Sequence, residues 1–214
     1  MTVSSRVALD EECGDDKRRV LSRYDQIADQ YLRIRERGFL RWLAIRDLQA
    51  IHWLLAPQQG QTLLDVGCGA GLHSRALAAA GLRVVALDLA PRMVALIRPH
   101  VDAALVGDLD HLALGRRFDR VLCSGVLDYA RSPDECLARL SNHVAPGGRL
   151  VVMAPRESLG GYCYRWVYNA TKRIRPHLFC GDRLDELARR SGLVPIGRCH
   201  PFLHSLVIGW RRAS

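Results

Sequence analysis

The spacing of apolar residues changes near residue 61. From 17 to 56 they recur every three or four positions with arginines between them, as in "YLRIRERGFLRWLAIRDLQAIHWLLAP". That period puts the apolar side chains on one face of a helix. Gly38 interrupts the pattern and predicts two helices, and Pro57 and Gly60 close the second. Beyond 61 apolar residues come in short runs: "TLLDV", "RVVALD", "AALVGD", "FDRVLCS" and "RLVVMAP". Runs of this length predict buried strands. Helical stretches separate them. "LHSRALAAAG" has Gly81 as its C-cap, and "PRMVALIRPH" has Pro91 in its first turn. "SPDECLARLSNHVAPGG" has Ser132 as N-cap, Pro133 at the first helical position and Pro-Gly-Gly as its stop.

Strands alternating with amphipathic helices predict βαβ units, hence an α/β fold whose parallel sheet is covered on both faces. A long irregular segment, 155–181, follows the fifth strand. Then come a helix at "RLDELARRSG" and two strands near "VPIGRC" and "HSLVIGW", which predict an antiparallel pair at the sheet's edge. The expected organisation is a flexible lead over 1–18 and a single domain over 19–214. Within that domain, 19–60 forms a helical cap.

Composition narrows the class. The chain has 214 residues, 49% apolar and 25% charged, as in an ordinary globular protein. No apolar run reaches the length of a membrane span, and no signal-type h-region opens the chain, so a cytoplasmic protein is expected. The seven cysteines form no C-x-x-C pair, so neither a disulfide framework nor a metal site is expected. The net charge of +9 suits a solvated arginine-rich surface, or contact with nucleic acid, acidic lipid or an acidic carrier. No nucleic-acid-binding motif accompanies the charge.

Ligands of open α/β sheets sit at the carboxyl ends of the strands. The first strand delivers Asp65-Val66-Gly67-Cys68-Gly69-Ala70-Gly71, the second Asp88, the third Gly107-Asp108 and the fourth Ser124-Gly125. Each has a plainer reading: a strand-to-helix turn, a helix cap at Asp88, a solvated turn at Asp108. Their arrival at one edge on four successive strands argues for a ligand. The glycine spacing is G-x-G-x-G, with Leu72 where the third glycine of a dinucleotide binder would fall. The loop has no Arg or Lys for a diphosphate, so it suits an adenosine-type ligand without one.

"LLDVGCGAG", Asp88, "GDLD" and "PGGRLVV" resemble class I S-adenosylmethionine-dependent methyltransferases of the small-molecule type, over roughly 20–210. The resemblance implies a Rossmann-like three-layer fold: a mostly parallel seven-stranded sheet, last strand antiparallel, plus N-terminal helices. It implies S-adenosylmethionine as methyl donor and S-adenosylhomocysteine as product. Gly67, Cys68, Gly69 and Gly71 would lie along the methionine arm, with Asp65 holding its amino group directly or through the loop. Asp88 would take both ribose hydroxyls, a role suited to a two-oxygen acceptor. Leu89 and Met93 would flank the adenine, and Asp108 and Leu109 would contact its amino edge. Ser124 would line the methionine end. Tyr24 and Tyr31 resemble the segment that closes over the cofactor, and equally suit core packing.

The expected reaction is methyl transfer to an O or N atom of a small molecule, hydrophobic or carrier-bound. Candidate bases are Asp128, Tyr129 and His177, with His73 beside the glycine loop. Many relatives carry His where Asp128 stands, which weakens any His-base scheme. Segment 155–181 holds Tyr162, Tyr164, Trp166 and Tyr168, then Lys172, Arg173 and Arg175. It reads as a substrate lid, structurally an amphipathic helix with a basic face, and would also suit an acidic carrier or a membrane surface. The alternatives are an RNA or protein methyltransferase, or a cofactor-binding partner protein without catalysis. The oligomeric state is not legible.

Overall fold

A computed structural model describes residues 15–35 and 37–214. Two helices come first, α1 (Asp15–Arg35) and α2 (Gly38–Leu55). The break falls at Gly38, which takes φ +50°, and α2 closes on Ala56 in the left-handed region rather than on Gly60. Residues 15–18, expected in the lead, belong to α1; residues 1–14 lie outside the described residues.

The alternating region follows. It comprises β1 (Thr62–Val66), α3 (Leu72–Ala79), β2 (Arg83–Asp88), α4 (Pro91–Ile97), β3 (Ala103–Val106), β4 (Phe118–Ser124), α5 (Pro133–Asn142) and β5 (Val144–Pro155). After these come α6 (Leu159–Lys172), α7 (Gly181–Arg190), β6 (Leu193–Cys199) and β7 (Ser205–Arg212). The seven strands form one sheet in the order β3-β2-β1-β4-β5-β7-β6. Only β7 runs against its neighbours, pairing antiparallel with both β5 and β6. The order reverses between β1 and β4, and there the turns after both strands diverge and open a cleft.

Three local expectations need correction. Pro146-Gly147-Gly148 does not stop the helix; α5 ends at Asn142, and the triplet lies inside β5 beside a register shift against β4. A side chain at Gly148 would meet the carbonyl oxygens of Ala145 and Asp119 at 2.8 and 2.9 Å, so the backbones close that bulge. Ser132 precedes α5 but its side chain makes no capping bond. Much of 155–181 is regular: Ser158 accepts from the Gly161 amide at 3.1 Å and starts α6.

Alternation along the strands fills both faces. Leu64, Val66, Phe118, Val121, Leu150 and Trp210 pack with α5 and α7; Leu63, Leu122, Val151 and Val207 pack with Ile51 and Leu54 of α2. Trp210 is fully buried in β7, and its indole N–H donates to Asp185 of α7 at 2.7 Å. Trp210→Ala is expected to cost about 3–5 kcal/mol. Urea unfolding monitored by far-UV circular dichroism would measure this, and a loss under about 1 kcal/mol would contradict such packing.

Candidate active site

The glycine turn is shaped by backbone and held by β2. Gly67, Gly69 and Gly71 take φ of +74°, +53° and +87°, a region side chains disfavour. The amides of Gly67 and Cys68 both donate to the Leu87 carbonyl, at 2.6 and 3.1 Å. The Gly69 amide donates to Asp88 Oδ2 at 2.8 Å. A Cβ at Gly67 would run into Val126, and one at Gly71 into Ile97. At Gly69 the space is open as far as Tyr31, whose ring would lie 3.6 Å from such a Cβ. Gly67 thus makes room for the loop after β4 and Gly71 for α4, while Gly69 faces the cleft.

Two connected cavities lie above this turn. A narrower one, about 700 Å³ including its mouth, is lined by Tyr24, Tyr31, Gly67, Gly69, Asp88, Leu89, Asp108, Leu109, Ser124 and Tyr129. A wider one, about 1610 Å³ including open solvent, shares Tyr24, Tyr31, Gly67, Gly69, Ser124 and Tyr129. Beyond that shared wall it extends past Cys68, His73 and Asp128 to Tyr164, Tyr168 and Lys172 of α6, and to Phe202 and His204 between β6 and β7.

Asp88 sits at the rim of the narrower cavity, and it does not cap α4, whose N-cap is Ala90 with no side-chain capping bond. Asp88 Oδ1 accepts from the Ala90 amide at 2.8 Å, ahead of α4. Burial raises its pKa, and the amides of Ala90 and Gly69 oppose that rise. Asp65 stands behind the turn instead of on a cavity wall. It is fully enclosed, accepts from Ser74 Oγ at 2.5 Å, and is pushed up to about 7 by burial. Its place in the structure is to tie β1 to α3. Asp108 Oδ1 accepts from the Asp110 amide at 2.9 Å, and Lys17 of α1 forms ion pairs with both carboxylates. Asp108 is therefore not in a merely solvated turn.

Met93 packs with Ala28, Ala70 and Ala90 in a small core cluster, one layer behind the cavity. Ser124 Oγ lies 3.3 Å from His73 Nε2. Tyr24 and Tyr31 meet edge to face at 6.0 Å. Both the packing and the cavity-lining readings of these tyrosines hold, since the same rings do both.

Of the candidate bases, the structure brings Asp128 and Tyr129 to the wider cavity. Asp128 is 2% exposed, and its Oδ1 has no hydrogen-bond partner among the described residues. Burial pushes its carboxyl up to about 7, against the hydrogen bond from Tyr129. His177 is exposed and lines an adjoining basin with Arg19 and Arg175 that also reaches Asp128 and Tyr129, and its backbone amide donates to the Asp128 carbonyl at 2.9 Å. The pattern of the chain did not point to Lys17, Phe202 or His204. His204 stacks on Tyr164 at 4.8 Å, and burial lowers its pKa. On α6, Lys172 lies over the Tyr168 ring, and its hydrogen bond and charge outweigh burial to bring that phenol below its usual value. Tyr164 and Tyr168 were visible as an i, i+4 pair, the spacing that puts both on one helix face.

The Rossmann-like sheet with this glycine turn and its acidic neighbours defines the class I methyltransferase architecture. Residues 64–152 match the family described as "Methyltransferase domain". Among curated proteins, it is 33% identical over 162 residues to a ubiquinone biosynthesis O-methyltransferase of Cereibacter sphaeroides, covering 66% of this chain and 64% of that protein. It is 31% identical over 152 residues to one from Azorhizobium caulinodans, covering 64% and 60%. The chain thus spans somewhat under two thirds of the length of these relatives. Among solved structures, a magnesium protoporphyrin IX methyltransferase from Synechocystis with bound S-adenosylhomocysteine superposes with TM-score 0.74 at 21% identity, over 92% of this chain and 100% of that one. An N-methyltransferase from Bradyrhizobium japonicum, also with S-adenosylhomocysteine, gives 0.66 at 19%, over 97% of each. These structural likenesses establish the fold.

Asp65 carries a testable consequence. Its raised pKa means the folded chain keeps a proton that the unfolded chain releases near pH 4. The stability it contributes is present below about pH 4 and lost as pH rises through about 7. Asp65→Asn is expected to flatten the fall in unfolding free energy across this window, read from urea titrations at several pH values. An unchanged slope would show that Asp65 is not protonated in the fold.

Proposed function

We propose that the chain transfers a methyl group from S-adenosylmethionine to an oxygen of a small, largely apolar acceptor. The observation that carries this reading is the pair of cavities meeting at one wall, Tyr24, Tyr31, Gly67, Gly69, Ser124 and Tyr129. The narrower fits a nucleoside with a short arm; the wider is walled largely by aromatic and aliphatic side chains, with Arg23, Asp47, Asp128, Lys172 and two histidines among them. The curated relatives, named O-methyltransferases of ubiquinone biosynthesis, favour oxygen as the acceptor atom.

The residues present suit the donor. The glycine turn leaves a cradle at Gly69 that a side chain would narrow, and Asp88 presents a carboxylate at the rim. When bound, S-adenosylmethionine supplies an electrophilic methyl group on its sulfonium. Asp88 would accept from the ribose hydroxyls while keeping its two amide donors, because each carboxylate oxygen takes more than one hydrogen bond. Leu89 and Leu109 would border the adenine, with Met93 supporting from behind. Asp108 would accept from the adenine amino group once Lys17 yields or shares it. Gly67, Cys68 and Ser124 would line the methionine arm. Gly71 and Asp65 would act through the loop by fixing its path.

On the acceptor side, Asp128 and Tyr129 would orient the hydroxyl and remove its proton. A buried carboxyl with a pKa near neutrality is matched to that proton transfer. Tyr31 and Tyr24 would exclude water from the junction, where in-line approach depends on positioning. His177, outside the cavity, receives no role in the chemistry.

The purified protein is expected to bind S-adenosylhomocysteine in the micromolar range by calorimetry. Asp88→Ala should weaken that binding at least about tenfold, the scale of losing charge-assisted hydrogen bonds. Absence of binding by the wild type would overturn the reading. With methyl-labelled donor and a phenolic or quinol acceptor, Asp128→Asn should lower kcat about a hundredfold and remove the decline in rate below about pH 7. Label found only in a nuclease-sensitive or protein fraction would favour a macromolecular acceptor instead.

A further inference from the structure

Three of the four tryptophans face solvent: Trp42, Trp53 and Trp166 are 44, 65 and 72% exposed. They are not scattered. Phe39, Trp42, Arg46 and Trp53 follow one another along the outer face of α2 at helical spacing. Leu159, Tyr162 and Trp166 do the same on α6, whose opposite face turns Tyr164 and Tyr168 into the wider cavity. The β6–β7 loop joins the two helices. Its Phe202 ring lies 5.5 Å from Phe39 and 6.3 Å from Trp42, and the Leu203 carbonyl accepts from Ser158 Oγ at 3.1 Å. Leu203 itself is 72% exposed. The result is a continuous apolar belt over two helices and a loop.

Two features say what covers it. The first is charge. Arg46 lies 4.9 Å over the Trp42 ring and Arg165 5.0 Å over Tyr162, so cations interleave with the aromatics. The one acid of α2, Asp47, is buried, and no acid occurs from 158 to 181. Glu157 is exposed just before α6, and Asp182 is paired with Arg198. The second is position. Leu40, Phe202 and His204, which border the belt, are also on the wall of the wider cavity. A broad surface mixing indole and phenol rings with guanidinium groups suits the boundary between lipid headgroups and acyl chains.

We propose that this belt docks on an anionic lipid bilayer, with the mouth of the acceptor cavity turned toward the lipid. This rests on the reading of the wider cavity as the site of an apolar acceptor, and it extends that reading: the acceptor would be lipid-dissolved and would enter without crossing water. The aromatic side chains would sit among the headgroups while Arg46 and its exposed α2 neighbour Arg41, with Arg165 of α6, meet the phosphates.

Sedimentation of the full chain with mixed phosphatidylcholine–phosphatidylglycerol vesicles, and with pure phosphatidylcholine vesicles, tests this directly. Binding to the mixed vesicles is expected, at least about tenfold weaker to the neutral ones and falling with salt. Tryptophan emission should shift to the blue on binding. The pair Trp53→Ser/Leu203→Asp, and separately Arg41→Glu/Arg46→Glu, should each reduce vesicle binding about tenfold with the circular dichroism spectrum unchanged. Failure of the wild type to sediment with either vesicle would overturn the proposal, as would variants that sediment like wild type. So would a self-associated state in light scattering that Trp53→Ser/Leu203→Asp dissociates, since the belt would then be an interface between copies. S-adenosylhomocysteine calorimetry on the same samples keeps the two readings apart: vesicle binding without nucleoside binding would support the surface and overturn the methyl transfer.

Discussion

The site depends on a turn whose amides are fixed from a neighbouring strand. After β1 the chain reverses through three positive-φ glycines, a path with little intrinsic stability. The Leu87 carbonyl takes two of its amides and the Asp88 carboxylate a third. The β1–β2 register sets this contact, since Val66 pairs with Leu87 and Asp88 follows immediately. The shape of the loop and the place of its most exposed carboxylate are thus one fact about sheet register. From the other side Asp65 and Ser74 hold the start of α3, and Val126 and Ile97 occupy the space that side chains on the glycines would need.

Carboxylates with different surroundings divide the remaining work. Asp65 and Asp128 are sealed from water and lean toward the neutral form. Asp108 and Asp110 keep a partner in Lys17, and the latter is held below its ordinary value by Cys136 and Lys17 against the effect of burial. α1 is therefore anchored by charge at its first turn and near its middle. Lys17 grips the loop after β3, and Arg92 of α4 reaches the Asp25 carbonyl at 3.1 Å and Asp29 at 2.5 Å. Tyr24 lies between those anchors and Tyr31 just past the second.

Much of this architecture was legible in the pattern of residues. Hydrophobic spacing located the central strands β1, β4 and β5 because they are buried on both faces, so few polar positions interrupt the runs. The polar residues at the strand ends were legible because one sheet edge collects them. Pro146-Gly147-Gly148 misled for a physical reason: residues that end helices also form bulges, and only the carbonyls of Asp119 and Ala145 decide which. Lys17, Phe202 and His204 were invisible because they reach the cleft from distant segments, with no periodicity of their own. Asp65 resembled its neighbours in spacing, yet it points to α3 rather than the cavity, a distinction that alternation along a five-residue strand does not settle.

The insertion of β7 between β5 and β6 bears on how the protein is made. β6 pairs with no strand but β7, so it has no place in the sheet until the later strand has been synthesised. The five parallel strands pair with one another without either, although Val207 and Trp210 of β7 complete the cores on the two faces. On a growing chain those five strands are complete while Phe202 and His204 of the acceptor wall are still missing. A nascent chain would therefore carry the glycine turn and the strands beside it before the acceptor wall is closed. During that interval the edge of β5 is the stretch of backbone most in need of protection from other strands.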